Sequence, residues 1–187
     1  YTYNYVLGIK LNNKAKNQIN NILKKLKRKL KVNYILSKST GPHITLTNSF
    51  KIRNKQKMLK VFKELNKINS KSFKLKFKNI SIFFGETPSH VIRWEHNNEI
   101  ILLKNKIEKI LKKLEVLKII NKFSLKLNFI AKSTIAYKDT NYNNLVSILK
   151  IIKKSKIPSY CNVDNICLYG FIPNVKEQEI FQKKLKK

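Results

Sequence analysis

The chain has 187 residues, room for one domain or two small lobes sharing a core and too few for a multidomain machine. A hydrophobic fraction of 42% is enough to build a core at this length, which excludes wholesale disorder. Lys and Arg number 41 against 10 Asp and Glu, a net charge of +31, so the partners that suit the chain are polyanions: nucleic acid, nucleotides or an anionic membrane surface.

Base composition explains part of this charge. Of the cations 38 are Lys and 3 Arg, with 25 Ile and 23 Asn beside them, and Lys, Ile and Asn all have AT-rich codons. A drift toward A and T writes Lys for Arg, but it does not remove carboxylates, whose codons are not GC-rich. No apolar run approaches the roughly 18 residues of a membrane span, so the chain is expected to be soluble. Its first ten residues lack the apolar stretch of a signal peptide. Cys161 and Cys167 are too far apart to bridge in a straight strand. Both are expected as reduced thiols, in the cytoplasm or another reducing intracellular compartment. With three His and no clustered Cys/His/Asp spacing, no metal site is expected.

In chain order, Tyr3, Tyr5, Leu7 and Ile9 alternate with Asn4, Val6 and Gly8, the period of a strand. Asn13 can cap a helix in which Ile19, Ile22, Leu23, Leu26 and Leu30 recur at helical spacing. Gly41 and Pro42 then break the chain, and Ile44 and Leu46 alternate with Thr45 and Thr47, so 41–47 predicts a strand entered through a turn. A second helix carries Met58, Leu59, Phe62 and Leu65 on one face, and a strand pair is built from Phe73, Leu75, Phe77, Ile80, Ile82 and Phe84. Beyond a turn over 85–89, residues 90–94 read as a strand, 100–117 as a long amphipathic helix, 131–137 as a strand, 145–152 as a helix and 163–171 as a strand.

The second half repeats the first. VLGIKL, HITLT and NISIFFG correspond in order to VIRWE, KSTIAY and NICLYGF, so the chain reads as a duplicated strand-helix-strand-helix-strand unit. This favours an α+β fold, one bilobal domain over 1–187 with lobes of roughly 1–89 and 90–187. Two antiparallel-rich sheets would face a central groove, with helices outside. An open parallel doubly wound sheet is the weaker reading, because no GxGxxG or GxxxxGK[ST] loop follows any strand.

Strand periodicity projects His43, Thr45 and Thr47 to one face, placing a proton-transfer group beside hydroxyls that can hold phosphate oxygens. A single His-x-Thr is equally consistent with a structural histidine. A second triplet stands 89 residues on, at the matching place of the repeat, where Lys132 and Thr134 occupy the positions of His43 and Thr45.

On these residues the sequence resembles the 2H phosphoesterase superfamily, which includes the bacterial 2′-5′ RNA ligase-like proteins and cyclic phosphodiesterases. Its mark is two H-x-[ST]-x motifs, one per lobe of a bilobal α+β fold. PHITL, residues 42–46, matches fully; AKSTIA, residues 131–136, matches except at the histidine, which is Lys132. The resemblance implies phosphodiester chemistry on RNA ends, 2′,3′-cyclic phosphates or 2′-5′ linkages, with no cofactor and no metal, by a chain expected to be monomeric. The family's histidines act as base and acid and its hydroxyls hold the phosphate; by resemblance His43, Thr45 and Thr134 take those roles.

Lys132 does not inherit its role automatically. At a reference pKa near 10.4 only about one lysine in 2,500 is deprotonated at pH 7, so it serves as a base only if strongly perturbed. As an ammonium it can bind phosphate or stabilise a charged transition state. The chain is therefore expected to be either a phosphodiesterase with altered acid/base pairing or a catalytically weakened RNA- or nucleotide-binding protein. A basic scaffold with an accidental motif is the third reading.

Among other candidates, His90 could move into the gap at position 132, although a histidine at a strand end is more often solvated. Trp94, Tyr137, Tyr169 and Phe171 could stack a base or pack the core. His96 lies in a polar turn without a predicted role. The cations of the first helix, Lys24, Lys25, Lys27, Arg28 and Lys29, form a solvated surface or steer RNA toward the groove; sequence does not separate the two.

Overall fold

Alternating apolar residues produce strand β1 (Asn4–Lys10), in which Tyr5, Leu7 and Ile9 share one buried face. The computed structural model describes residues 4–38, 40–116, 129–171 and 177–186. Helix α1 (Asn13–Leu30) buries Ala15, Ile19, Ile22, Leu23 and Leu26, the stripe that its periodicity predicts. Its N-cap is Asn12, one residue before the expected Asn13, and it ends on Lys31 in the left-handed region at φ 60°. There follow α2 (Tyr34–Ser37), β2 (His43–Thr45), β3 (Phe50–Lys51), α3 (Lys55–Asn66), β4 (Phe73–Phe83), β5 (Ser89–Trp94) and α4 (Asn98–Lys113). The chain continues through β6 (Lys132–Ala136), α5 (Leu145–Lys153), β7 (Tyr160–Val163), β8 (Asn165–Phe171) and β9 (Gln178–Lys184).

The fold is α+β, and its strands form one antiparallel sheet in the order β7-β4-β5-β6-β2-β1-β8-β9, with β3 alongside β1. The two sheets expected from the duplication are the two arms of this path, meeting where β2 pairs β6. Outward from that seam β2, β1 and β8 on one side correspond to β6, β5 and β4 on the other, the order of matches read from the repeat. Each unit's third strand crosses over: β4 pairs with β5, and β8 pairs with β1. The sheet curls strongly. Asp164 alone joins β7 to β8, a link of at most about 7 Å between strands at distant places in the order. Beyond β9, Lys186 bridges Lys71, and the Ser72 amide donates to the Lys186 carbonyl at 2.7 Å.

Several elements depart from their sequence reading. Residues 73–83 form one eleven-residue strand in place of a strand pair, with a register shift between Phe77 and Asn79 that lets it pair with both β7 and β5. In α3, Val61 and Leu65 are buried while Leu59 is exposed, so the inward stripe is rotated from the one expected. The segment read as one strand over 163–171 breaks at Asp164. The helix expected to run to Leu117 ends at Lys113, with Leu114 as its cap and Glu115 in the left-handed region at φ 53°; Leu117 itself lies outside the described residues.

The sheet has two unlike faces. Leu7, Ile9, Ile44, Ile92, Ile135, Ile166 and Leu168 belong to one apolar core with the buried stripes of α1, α3, α4 and α5. The opposite face holds a small separate cluster of Val6, Cys167 and Tyr169, with Phe171 packed against it. That second face carries the groove.

Candidate active site

Both triplets lie at the seam. Ile44 pairs with Ser133 and both are buried on the core side, so the residues flanking them face the groove. Because the pairing is antiparallel, His43 stands opposite Thr134 and Thr45 opposite Lys132, a local two-fold arrangement of the triplets. Residues related diagonally across such a pair have β-carbons roughly 7–8 Å apart, so His43 and Lys132 flank a space of phosphodiester size.

The geometry around His43 is built by glycines and an aromatic floor. Gly41, at φ +63°, makes the left-handed turn into β2, and the His43 ring nitrogen Nδ1 lies 3.1 Å from its carbonyl. A carbonyl can only accept, so Nδ1 carries the proton and the Nε2 lone pair is the one left for chemistry. The imidazole packs on Tyr169, ring centroids 4.6 Å apart. Gly8 permits this: a β-carbon there would stand 2.7 Å from the Ile44 carbonyl oxygen and 3.1 Å from the Tyr169 ring.

A cavity of about 180 Å³ opens in front of His43, lined also by Thr45, Thr134, Tyr137 and Phe171 together with Lys38 and Glu177. Lys38 and Glu177 were not singled out in the sequence, because Lys38 is one lysine among many and Glu177 lies far away in the chain. Glu177 is buried, pairs with the Lys38 ammonium at 3.0 Å and accepts from the Thr40 hydroxyl at 2.8 Å. Burial lowers the pKa of His43 below the ordinary histidine value; Glu177 and the Gly41 carbonyl oppose this, and Lys38 adds to it. The imidazole is thus neutral at neutral pH.

Lys132 shares the face but turns away from the cavity. Its ammonium lies 4.3 Å from the centroid of the Phe83 ring on β4, and burial lowers its pKa from the ordinary lysine value. The remaining candidates divide. Tyr137 is 39% exposed and lines the cavity with the half-buried Phe171. Trp94 is buried, its indole N–H donating to Ser133 Oγ, and it packs the core; no base can reach it. Tyr169 is likewise buried and serves as the floor beneath His43. His90, expected at a solvated strand end, is fully buried with Nε2 3.1 Å from the Leu145 carbonyl, held by the start of α5 and away from the cavity. His96 accepts from the Ala131 amide at 2.9 Å, a tether for the segment entering β6.

Cys161 and Cys167 are free and buried, and desolvation pushes their thiols up to about 12 and about 11. Among the described residues no group of three or more His, Cys, Asp or Glu is placed to hold a metal ion, and no helix is long and apolar enough to cross a membrane.

The model of the LigT-like phosphoesterase family matches residues 9–93, a span that contains the first triplet and ends before the second. The fold match extends over the whole chain. E. coli LigT, solved in complex with 3′-AMP, superposes with a TM-score of 0.67 at 12% identity, covering 100% of both chains. Residues 9–93 thus resemble the LigT-like phosphoesterases, and the whole chain shares the fold of LigT. LigT in its phosphate complex matches with a TM-score of 0.66 at 12% identity over 100% of this chain and 99% of the other. Usb1 of Kluyveromyces marxianus, solved with uridine monophosphate, matches at 0.52 and 8% identity over 95% of this chain and 97% of that one. At these identities the likeness is one of fold. No protein of curated function matches the chain in sequence.

Proposed function

We propose that this chain is a 2H phosphoesterase, a metal-independent phosphodiesterase acting on RNA ends, 2′,3′-cyclic phosphates or 2′-5′ linked oligonucleotides, its two triplets joined in one bilobal domain. The observation that carries the reading is the seam: the two triplets stand in two-fold arrangement around the Ile44–Ser133 pair, and His43, Thr45 and Thr134 line one cavity with Lys132 on the same face of the sheet. The ligands named for the superposed structures, 3′-AMP, phosphate and uridine monophosphate, support a nucleotide or its phosphate as occupant.

In hydrolysis of a cyclic phosphate, His43 Nε2 takes a proton from the attacking water, whose oxygen bonds to phosphorus. The Thr45 and Thr134 hydroxyls donate to the non-bridging oxygens. The P–O bond to one ribose oxygen breaks, and that oxygen receives a proton from Lys132 or from water held beside its ammonium. Swinging from Phe83 toward the cavity, Lys132 supplies a fixed positive charge to the transition state. Tyr137 and Phe171 present ring surface to the base.

The resting position of Lys132 over Phe83 favours a second reading, a groove that binds phosphates with little turnover. Single-turnover rates on one 2′,3′-cyclic phosphate for the wild type, His43→Ala and Lys132→His separate the two. For the enzyme, His43→Ala abolishes turnover and Lys132→His lowers it, because a permanent cation is removed. Absence of turnover in all three with tight oligonucleotide binding leaves the binder; equal rates in all three remove this groove from the chemistry.

A further inference from the structure

A second concave surface lies on the helical side. Between α1 and α5 two adjoining hollows of about 410 and 320 Å³ share Lys25, Arg28 and Ser155. Their walls add Lys24, Lys29, Lys150, Lys154 and Lys156, and no carboxylate lines either. Lys25 Nζ donates to Ser155 Oγ at 3.3 Å across the junction.

This concentration is not simply the protein's overall charge. No Asp or Glu precedes Glu64 and none stands between Asp139 and Asp164, so neither helix carries an acid of its own. The ion pairs among the described residues all lie elsewhere. Lys24 and Arg28, Lys25 and Lys29, and Lys150 and Lys154 are like charges four residues apart, a spacing that repels along a helix. The negative end of the α1 dipole favours Lys27, Arg28 and Lys29 in its last turn but does not account for Lys24 and Lys25 before them. A bound polyanion relieves this repulsion. On the same helix Lys16, about 12 Å before Lys24 along the axis of α1, lies beside the Gly41 turn at the edge of the cavity, its Cε 3.9 Å from where a β-carbon on Gly41 would be.

We propose that the α1–α5 groove binds the sugar–phosphate backbone of single-stranded RNA, as a site separate from the cavity at His43. A membrane surface fits poorly, since peripheral helices present a convex face with apolar residues for insertion, whereas this surface is concave and lined by cations. No aromatic residue lines the hollows, so binding there is to the backbone, independent of sequence and strongly salt-dependent.

The test uses the full chain and a labelled oligouridylate, titrated from low to physiological salt. Lys25→Glu, Arg28→Glu and Lys154→Glu are combined in one variant. The control combines Lys60→Glu, Lys109→Glu and Lys112→Glu, exposed positions on or beside α3 and α4 that carry the same change of net charge. The groove variant should lose about tenfold or more in affinity relative to the control, with the slope of log K against log salt shallower by about two, since three phosphate contacts at about 0.7 each are removed. Glutamine in place of glutamate at the same three positions gives the same comparison with less perturbation, and a thermal melt checks that each variant is folded. Equal loss in groove and control variants overturns the site in favour of diffuse attraction. Unchanged RNA affinity, with loss of binding to phosphatidylserine vesicles, assigns the surface to a membrane. Turnover of a cyclic phosphate, read in parallel, reports on the cavity alone, so failure of the catalytic reading leaves this site standing.

Discussion

His43 owes its chemistry to groups brought from three distant parts of the chain. Desolvation lowers its pKa and Glu177 raises it, so the neutral form persists below the ordinary histidine value of 6.5. The acid limb of log kcat/KM for a cyclic phosphate should therefore fall below pH 6.5, and Glu177→Gln should move it lower still. An acid limb above 6.5 would contradict the burial argument. The sign for stability follows the same shift. Between the folded and unfolded pKa values the unfolded chain binds more protons, so this histidine's contribution is present above pH 6.5 and declines as pH falls toward the folded value. Gly8 is the other residue on which the site turns. An alanine there meets the backbone oxygen of Ile44 at 2.7 Å, an atom that cannot rotate away, and presses on the ring beneath His43. We expect Gly8→Ala to cost about 1–3 kcal/mol in denaturant unfolding and to depress turnover beyond that loss of folded protein.

Among the elements, the helices were legible because their apolar stripes are long enough to establish a period. Those of α1 and α4 bury every fourth or third residue as the sequence repeats. Caps strengthen them: the Asn97 side chain accepts from the Ile100 amide at 3.1 Å and donates to the Lys74 carbonyl at 3.0 Å. Replacing Asn97 by Ala should lower stability by about 1 kcal/mol, seen as a reduced urea midpoint without a changed slope. The short strands were less legible. YCNV of β7 and the charged QEIFQKK of β9 hold no pattern that separates them from loops; they are strands because β4 and β8 offer ladders to pair with. Continuous β4 was misread as a pair for the opposite reason: its register shift breaks the alternation within one strand.

Over the whole molecule, 41 cations face 10 carboxylates, so a charge of +31 is left uncompensated whatever ion pairs form. Affinity for single-stranded RNA should fall by orders of magnitude as salt rises, each phosphate contact adding about −0.7 to the slope of log K against log salt. A flat response between low and physiological salt, read by fluorescence anisotropy, would exclude the electrostatic account. The sequence by itself determined the duplicated order of elements, the two triplets and the sign of the charge, because periodicity, motif spacing and composition are local or additive properties. Tertiary structure alone decided that each unit's third strand crosses to the other arm, that Trp94, Tyr169 and His90 are buried, and that Lys38 and Glu177 stand at the cavity. It also turned Lys132 onto Phe83. The reason is physical: burial and pairing depend on contacts between residues far apart in the chain, set by how the curled sheet closes, and no local pattern encodes them.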